Sequence, residues 1–311
     1  MSVYTSLSQA QIELFIGAYG VTSLQQFSGI SAGIENTNYL LKTAQGDFVL
    51  TVYEHLKAHE VSDYLHLMQQ LSKHADYYPY PLVNSSQKLL HLLANKPAAL
   101  FKCLPGKSVA SATLNQCQSI ASALARLHLS SSSIQFSKKN PRSLINLQAC
   151  AHQIAPHLFA QDLALLADEL AYQFNQETDH LAQGLIHADL FKDNVLFVGD
   201  TVTGLLDFYA ACCDSFILDV AVALNDWCIN EQGVFEQEKQ QAFLQTYQAV
   251  RVFSQEEVRL LPVFLRRASL RFWVSRLEHR FNPRVGEITQ DKDPDTFKRL
   301  LLRHRVGTLT L

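Results

Sequence analysis

No run of this chain approaches the roughly 18 consecutive apolar residues that a membrane-spanning helix needs, so no helical span is expected. A basic surplus is also missing. Lys and Arg number 26 against 29 Asp and Glu, for a net charge of −3 with no polybasic block, and nucleic acid is therefore not an expected partner. The opening MSVYTSLSQAQ has neither a basic start nor an apolar core, so no secretory signal is expected and a cytoplasmic location is. The six cysteines, Cys103, Cys117, Cys150, Cys212, Cys213 and Cys228, form no Cys-x-x-Cys pair. Adjacent Cys212 and Cys213 are poorly placed for an ordinary disulfide. Reduced thiols are expected and structural zinc is not. No internal repeat is visible.

What is present is 311 residues, 48% hydrophobic and 18% charged, too long for one small core; two lobes are the natural expectation. SLSQAQIELFIGAYG reads as a capped amphipathic helix, with Ser6 and Gln9 at capping-box spacing and Gly20 at its end. The period then changes to β-like runs at 37–43 and 48–53 around AQGD, preceded by a glycine-containing loop. A helical stretch at about 60–74 and a further β-rich segment through KPAALFKCLPGKS follow. After Gly106 helices dominate. Thr113 is a plausible cap for a stripe of Leu114, Cys117, Ile120, Ala121, Leu124 and Leu127, and Leu163, Leu166, Leu170 and Phe174 form a second stripe. The expected fold class is α+β: a β-rich amino-terminal lobe over 1–103 and a mostly helical carboxy-terminal lobe over 104–311.

One stretch interrupts the helical half, GLIHADLFKDNVLFVGDTVTGLLDFY at 184–209. NVLFV and TGLLDF are apolar, and Gly199-Asp200 between them is a two-residue hairpin signal. Such a hairpin would bring Asn194 at its start near Asp207 at its end, with Asp189 in the loop leading in. Oxygen-bearing side chains converging there suit phosphoryl transfer, which needs a base for the attacking hydroxyl and hard oxygen ligands for magnesium. Asp189 is the candidate base, Asn194 and Asp207 the candidate metal ligands. His187 is expected to hydrogen-bond the loop and hold its shape. A metal-hydrolase site would need further ligands, and His128, His152, His157 and His180 have no ligand-like spacing.

HADLFKDN resembles the catalytic loop of the aminoglycoside-phosphotransferase-like, or choline-kinase-like, small-molecule kinases, with Ala188 where glycine is usual, and LLDFY resembles their magnesium-binding motif. The resemblance implies a protein-kinase-like two-lobed fold that uses ATP and Mg2+. It further implies a phosphate-covering loop with Gly29 and Gly33, and an inter-lobe segment in which Phe101, Lys102, Cys103 and Leu104 line the nucleotide. Asp219 matches an aspartate that braces the catalytic loop. The family's usual third-strand lysine is replaced by Thr51 in FVLTVYE; Lys42 and Lys57 are candidate substitutes, and Glu60 or Asp63 the helix carboxylate.

GIENTNYLL, GLLDFYAACCDSFILDVAVALNDWC, RRASLRFWVSRL and KDPDTFKRLLLRH occur in the order seen in homoserine kinases of this family. This likeness implies phosphorylation of the side-chain hydroxyl of L-homoserine, for threonine synthesis. A free amino acid needs a cation for its carboxylate and an anion or carbonyls for its ammonium. Arg267 and Arg271, spaced i,i+4, are candidates for the first, and Asp214 and Asn225 for the second. A kinase of another amino alcohol and a nucleotide-binding pseudokinase stay open beside this reading, as do a monomer and a homodimer.

Overall fold

The computed structural model describes residues 4–30, 36–230, 232–282 and 293–307. Its described elements run α1 (Gln9–Gly17), β1 (Leu24–Ile30), β2 (Asn36–Thr43), β3 (Gly46–Tyr53), α2 (Ala58–Leu71), β4 (His91–Leu93), β5 (Lys96–Lys102), α3 (Leu114–Ser130), α4 (Leu144–Ile154), α5 (Ala160–Phe174), β6 (Gln183–Ile186), β7 (Val195–Val198), β8 (Thr201–Leu205), β9 (Cys212–Ser215), α6 (Phe216–Trp227), α7 (Gln237–Val250), α8 (Gln255–Phe281) and α9 (Asp295–Val306). Two compact units result. The first holds the residues up to Gly106 together with Thr203–Leu206; the second starts at Lys107.

In the first unit an antiparallel sheet has the order β1-β2-β3-β5-β4. Alternation along β3 sends Phe48, Leu50 and Val52 to one face, where Ile12, Phe15 and Ile16 of α1 join them in a shared core. The α1 cap is Ser8 with Gln11 rather than Ser6 with Gln9. Both pairs have the same spacing, but only the Ser8 hydroxyl reaches the free N–H of Gln11. β1 falls partly within the stretch read as loop. Its pattern LQQFSGI has no apolar alternation and no fully buried residue, so its order comes from main-chain pairing to β2. The carboxylate of Glu54 ties this sheet face to the amino-terminal segment. It takes bonds from Thr5 (2.8 Å) and Thr37 (2.6 Å) and pairs with Lys96.

The second unit is helical. α4, α5, α8 and α9 close around Trp273, Leu270, Leu277, Phe297 and Leu301, all buried. Thr113 caps α3 with Gln116, as its spacing suggested, and Cys117, Ile120, Leu124 and Leu127 are fully buried, whereas Leu114 is exposed. In α5 only Leu166 and Leu170 of the expected stripe are buried, while Leu163 and Phe174 are exposed. The chain also forms two short ribbons: β6 antiparallel to β9, and the β7–β8 hairpin turning at Gly199, whose φ of +60° suits a residue without Cβ.

Candidate active site

β6 ends at Ile186, and the chain enters a loop held almost entirely through its backbone. Asp219, fully buried in α6, accepts the N–H groups of His187 and Ala188, one on each oxygen, both at 2.7 Å. His128 of α3 approaches the same carboxylate through Nε2 at 3.1 Å and places Nδ1 2.7 Å from the Tyr247 hydroxyl. Burial pushes the Asp219 pKa up, but its bonds to His128 and to the loop amides outweigh this and hold it below the usual carboxylate value. Burial pulls His128 down, so a neutral imidazole facing an ionised carboxylate is the consistent state.

Ala188 has a φ of +66°, in the left-handed region. The sequence comparison with glycine there is therefore more than a small-for-small exchange: glycine visits this region without the steric cost that a Cβ brings. The Ala188 carbonyl accepts Arg271 Nη1 at 2.5 Å. Asp189 follows, its N–H donating to His187 Nδ1 at 3.3 Å. His187 is fully buried, with its ring centroid 4.6 Å from that of Phe208. It stands behind the loop. The descent to β7 is pinned by Trp227 Nε1 on the Leu190 carbonyl (2.8 Å), by the Lys192 N–H on Asp226 (2.7 Å), and by the Phe191 ring against Phe272 (4.7 Å).

Asn194 donates from Nδ2 to the Asp189 carbonyl (2.8 Å) and to Asp189 Oδ2 (3.2 Å). That orientation assigns the amide nitrogen to Asp189 and leaves Oδ1 as the acceptor on the other side. The β7–β8 hairpin then returns the chain to Asp207, which adopts left-handed angles (φ 60°, ψ 58°) tolerated best by Asp, Asn and Gly. An amide oxygen and a carboxylate are hard donors that fit magnesium, which takes one or two carboxylates and completes its shell with phosphates and water. Among the described residues no group of three or more His, Cys, Asp or Glu forms a closed cage.

The candidate substrate residues divide. Arg267, Arg271 and Asp214 line one cavity of about 350 Å³ in the second unit, joined there by Asn140 and Arg142 from the loop before α4. Asn225 lies elsewhere, buried in the core. Its Nδ2 donates to Leu265 and Ser269 and its Oδ1 meets His304 Nε2 at 2.9 Å, so its polar atoms serve helix packing. Asn140 and Arg142 went unnoticed in the sequence because NPR reads as a turn, and nothing in its spacing points to a ligand.

In the first unit, Gly29 lies in β1 opposite Tyr39, and Gly33 lies outside the described residues. Phe101 and Lys102 close β5, opposite Val49 and Phe48. The N–H groups of Lys102 and Cys103 are given to the Tyr80 (3.4 Å) and Asp47 (3.0 Å) carbonyls, and Leu104 follows beyond the strand. Thr51, which the sequence resemblance sets in place of the usual lysine, donates to Asn38 Oδ1 at 2.7 Å. Lys42 sits four residues along β2 from Asn38, about 13 Å away. Lys57 occupies the N-cap of α2, its N–H donating to Glu60 Oε2 at 3.0 Å.

A β-sheet unit followed by a helical unit, with an Asp-x4-Asn loop braced by a buried aspartate and a hairpin leading to a second aspartate, defines the class of small-molecule phosphotransferases with a kinase-like fold. The profile of the phosphotransferase enzyme family (APH) matches residues 26–253, and the chain belongs to that family. It is an enzyme that transfers phosphate. A homoserine kinase of Methylobacillus flagellatus is 39% identical over 307 residues, covering 99% of this chain and 96% of the relative. One from Neisseria meningitidis serogroup B is 40% identical over 303 residues, covering 97% and 99%. Among solved structures, the amicoumacin kinase hAmiN in complex with AMP-PNP, Ca2+ and Ami has a TM-score of 0.67 at 17% identity, covering 96% of this chain and 92% of that one. A microcompartment-associated aminopropanol kinase has a TM-score of 0.64, also at 17% identity, covering 96% and 98%. These two likenesses speak for the fold alone.

Proposed function

We propose that the protein transfers the γ-phosphoryl group of ATP to the side-chain hydroxyl of L-homoserine, giving O-phospho-L-homoserine and ADP in the cytoplasm. The observation that carries this reading is the Asp189–Asn194 contact on a loop clamped by Asp219, in a chain matched along nearly its whole length by relatives named homoserine kinase. Asp189 orients the hydroxyl and accepts its proton as the oxygen attacks phosphorus and the bond to the ADP oxygen breaks. Asn194, through Oδ1, and Asp207 would hold magnesium, whose chemistry when bound is to neutralise charge on the phosphates. Phe101 to Leu104 would line the adenine, and Gly29 with Gly33 the phosphates.

Positioned proton acceptors contribute about 10²–10⁴ in rate. Asp189→Asn is therefore expected to lower kcat at least about 100-fold while ATP still binds, with O-phosphohomoserine followed by phosphorus NMR. Undiminished turnover in that variant would remove Asp189 from the mechanism. Failure of the wild-type protein to form O-phosphohomoserine would remove the substrate.

A further inference from the structure

The cavity beside the catalytic loop carries cationic charge that carboxylates of the fold answer only from beyond ion-pair distance. Arg266 pairs with Glu169 at 2.5 Å, but its neighbour Arg267 has only neutral partners, Gln173 Oε1 at 2.9 Å and Thr178 Oγ1 at 3.4 Å. Arg271, one turn further along α8, is 6% exposed and bonds only to the Ala188 carbonyl and the face of Phe272. Among the described residues neither has a carboxylate at ion-pair distance. Burial pulls both guanidinium pKa values down, which is the sign of a charge kept from water. Two such cations on one helix row are costly to a protein unless an anion arrives to meet them.

The opposite charge stands in the same cavity. Asp214 on β9 accepts Asn140 Nδ2 at 2.7 Å on one oxygen and the Ser215 N–H at 2.6 Å on the other. The amide of Asn140 cannot turn over, because its oxygen already accepts the Arg142 N–H at 2.7 Å. Asp214 and Asp179 both lie close enough to Arg267 to act on its charge. A zwitterion with carboxylate and ammonium on one carbon meets this arrangement; a simple amine or a simple acid satisfies only half of it. At about 30 Å³ for each water, the cavity of about 350 Å³ has room for a four-carbon amino acid with several waters.

We propose that this cavity reads the α-amino-acid end of the substrate: Arg267 takes the carboxylate through its planar fork, and Asp214, oriented by Asn140, takes the ammonium. Arg271 connects the two sites, since it lines the cavity while holding the loop one residue before Asp189. The inference rests on the phosphotransferase reading above and names what distinguishes an amino acid from an amino alcohol.

The test uses three acceptors with Mg-ATP: L-homoserine, 3-aminopropan-1-ol, which lacks the carboxylate, and 4-hydroxybutanoate, which lacks the ammonium. A site built around paired polar groups rejects analogues that leave them unpaired, so the wild type should prefer homoserine over each by about 100-fold or more in kcat/KM. In Arg267→Met the preference over 3-aminopropan-1-ol should fall within about tenfold, through KM, while that over 4-hydroxybutanoate persists. Asp214→Asn should do the converse. Arg267→Lys, which keeps the charge and loses the fork, should lie between, and reads the same contrast if the methionine variant does not fold. Homoserine turnover in the wild type with unchanged preferences in these variants overturns this assignment and leaves the kinase reading standing. No homoserine turnover in the wild type overturns both.

Discussion

Ala188 carries a Cβ where the backbone is left-handed, and its angles are imposed from outside by Asp219 on the preceding amides and by Arg271 on its carbonyl. Left-handed angles cost a non-glycine residue roughly 1–2 kcal/mol. Glycine would give back part of that through its freer unfolded chain, about 0.4–1 kcal/mol. Ala188→Gly should therefore raise stability by about 0.5–1 kcal/mol in urea melts, with phosphotransfer retained; a loss of stability would show that the residue is unstrained. Its neighbours in sequence stood out as candidates because chemistry restricts them. Two carboxylates and an amide at Asp189, Asp207 and Asn194 have few reasons to share a strand-loop-hairpin stretch. The strain at 188 was not readable, since identity alone carries no torsion angle.

Among the elements, those with strong periodicity were legible: the β2–β3 hairpin, α3 with its Thr113 cap, and the β7–β8 turn at Gly199. β1 was not, because an exposed, polar strand is held by main-chain bonds that any sequence can make. The docking of α9 was equally hidden: it buries Phe297, Leu300 and Leu301 against helices far apart in the chain, and among its polar contacts is that of His304 with Asn225 of α6. That contact makes a pH prediction. Burial, with help from Arg266, lowers the His304 pKa to about 4. An unfolded histidine titrates near 6.5, so below that pH the unfolded chain takes up a proton that the native state refuses until about pH 4. Stability should thus fall as pH drops from about 6.5 to 4, with a slope of up to about 1.4 kcal/mol per pH unit from this residue. His304→Gln should flatten that slope in denaturant melts taken across the range. His128, also lowered by burial, leaves a residual slope of the same sign. An unaltered slope in the variant would mean that His304 is protonated in the folded protein.

At the scale of the molecule, the first unit is not one continuous length of chain. Leu205 is fully buried, its N–H donates to the Tyr77 carbonyl at 2.8 Å, and Thr203 donates to the Pro105 carbonyl at 2.6 Å, all within that unit. The sequence reading drew a simple cut between 103 and 104, because composition changes there and a returning strand of five residues leaves no compositional trace. Removing a buried leucine alone costs about 2–5 kcal/mol, a large part of the 5–15 kcal/mol that keeps an ordinary domain folded. Residues 1–106 expressed alone should accordingly melt without a cooperative transition by circular dichroism. A sharp two-state curve for that fragment would show that Thr203–Leu206 is dispensable. The six cysteines add no covalent tie, each being a free thiol.

The Thr51–Asn38 bond has a practical side. On the proposed function, electrophiles shaped like ATP and built to acylate an amine on the third strand would find at Thr51 a hydroxyl that donates to an amide oxygen. An inhibitor relying on that amine for its covalent bond would have no amine to capture at Thr51. On that reading, one strand residue would discriminate between this chain and lysine-bearing kinases.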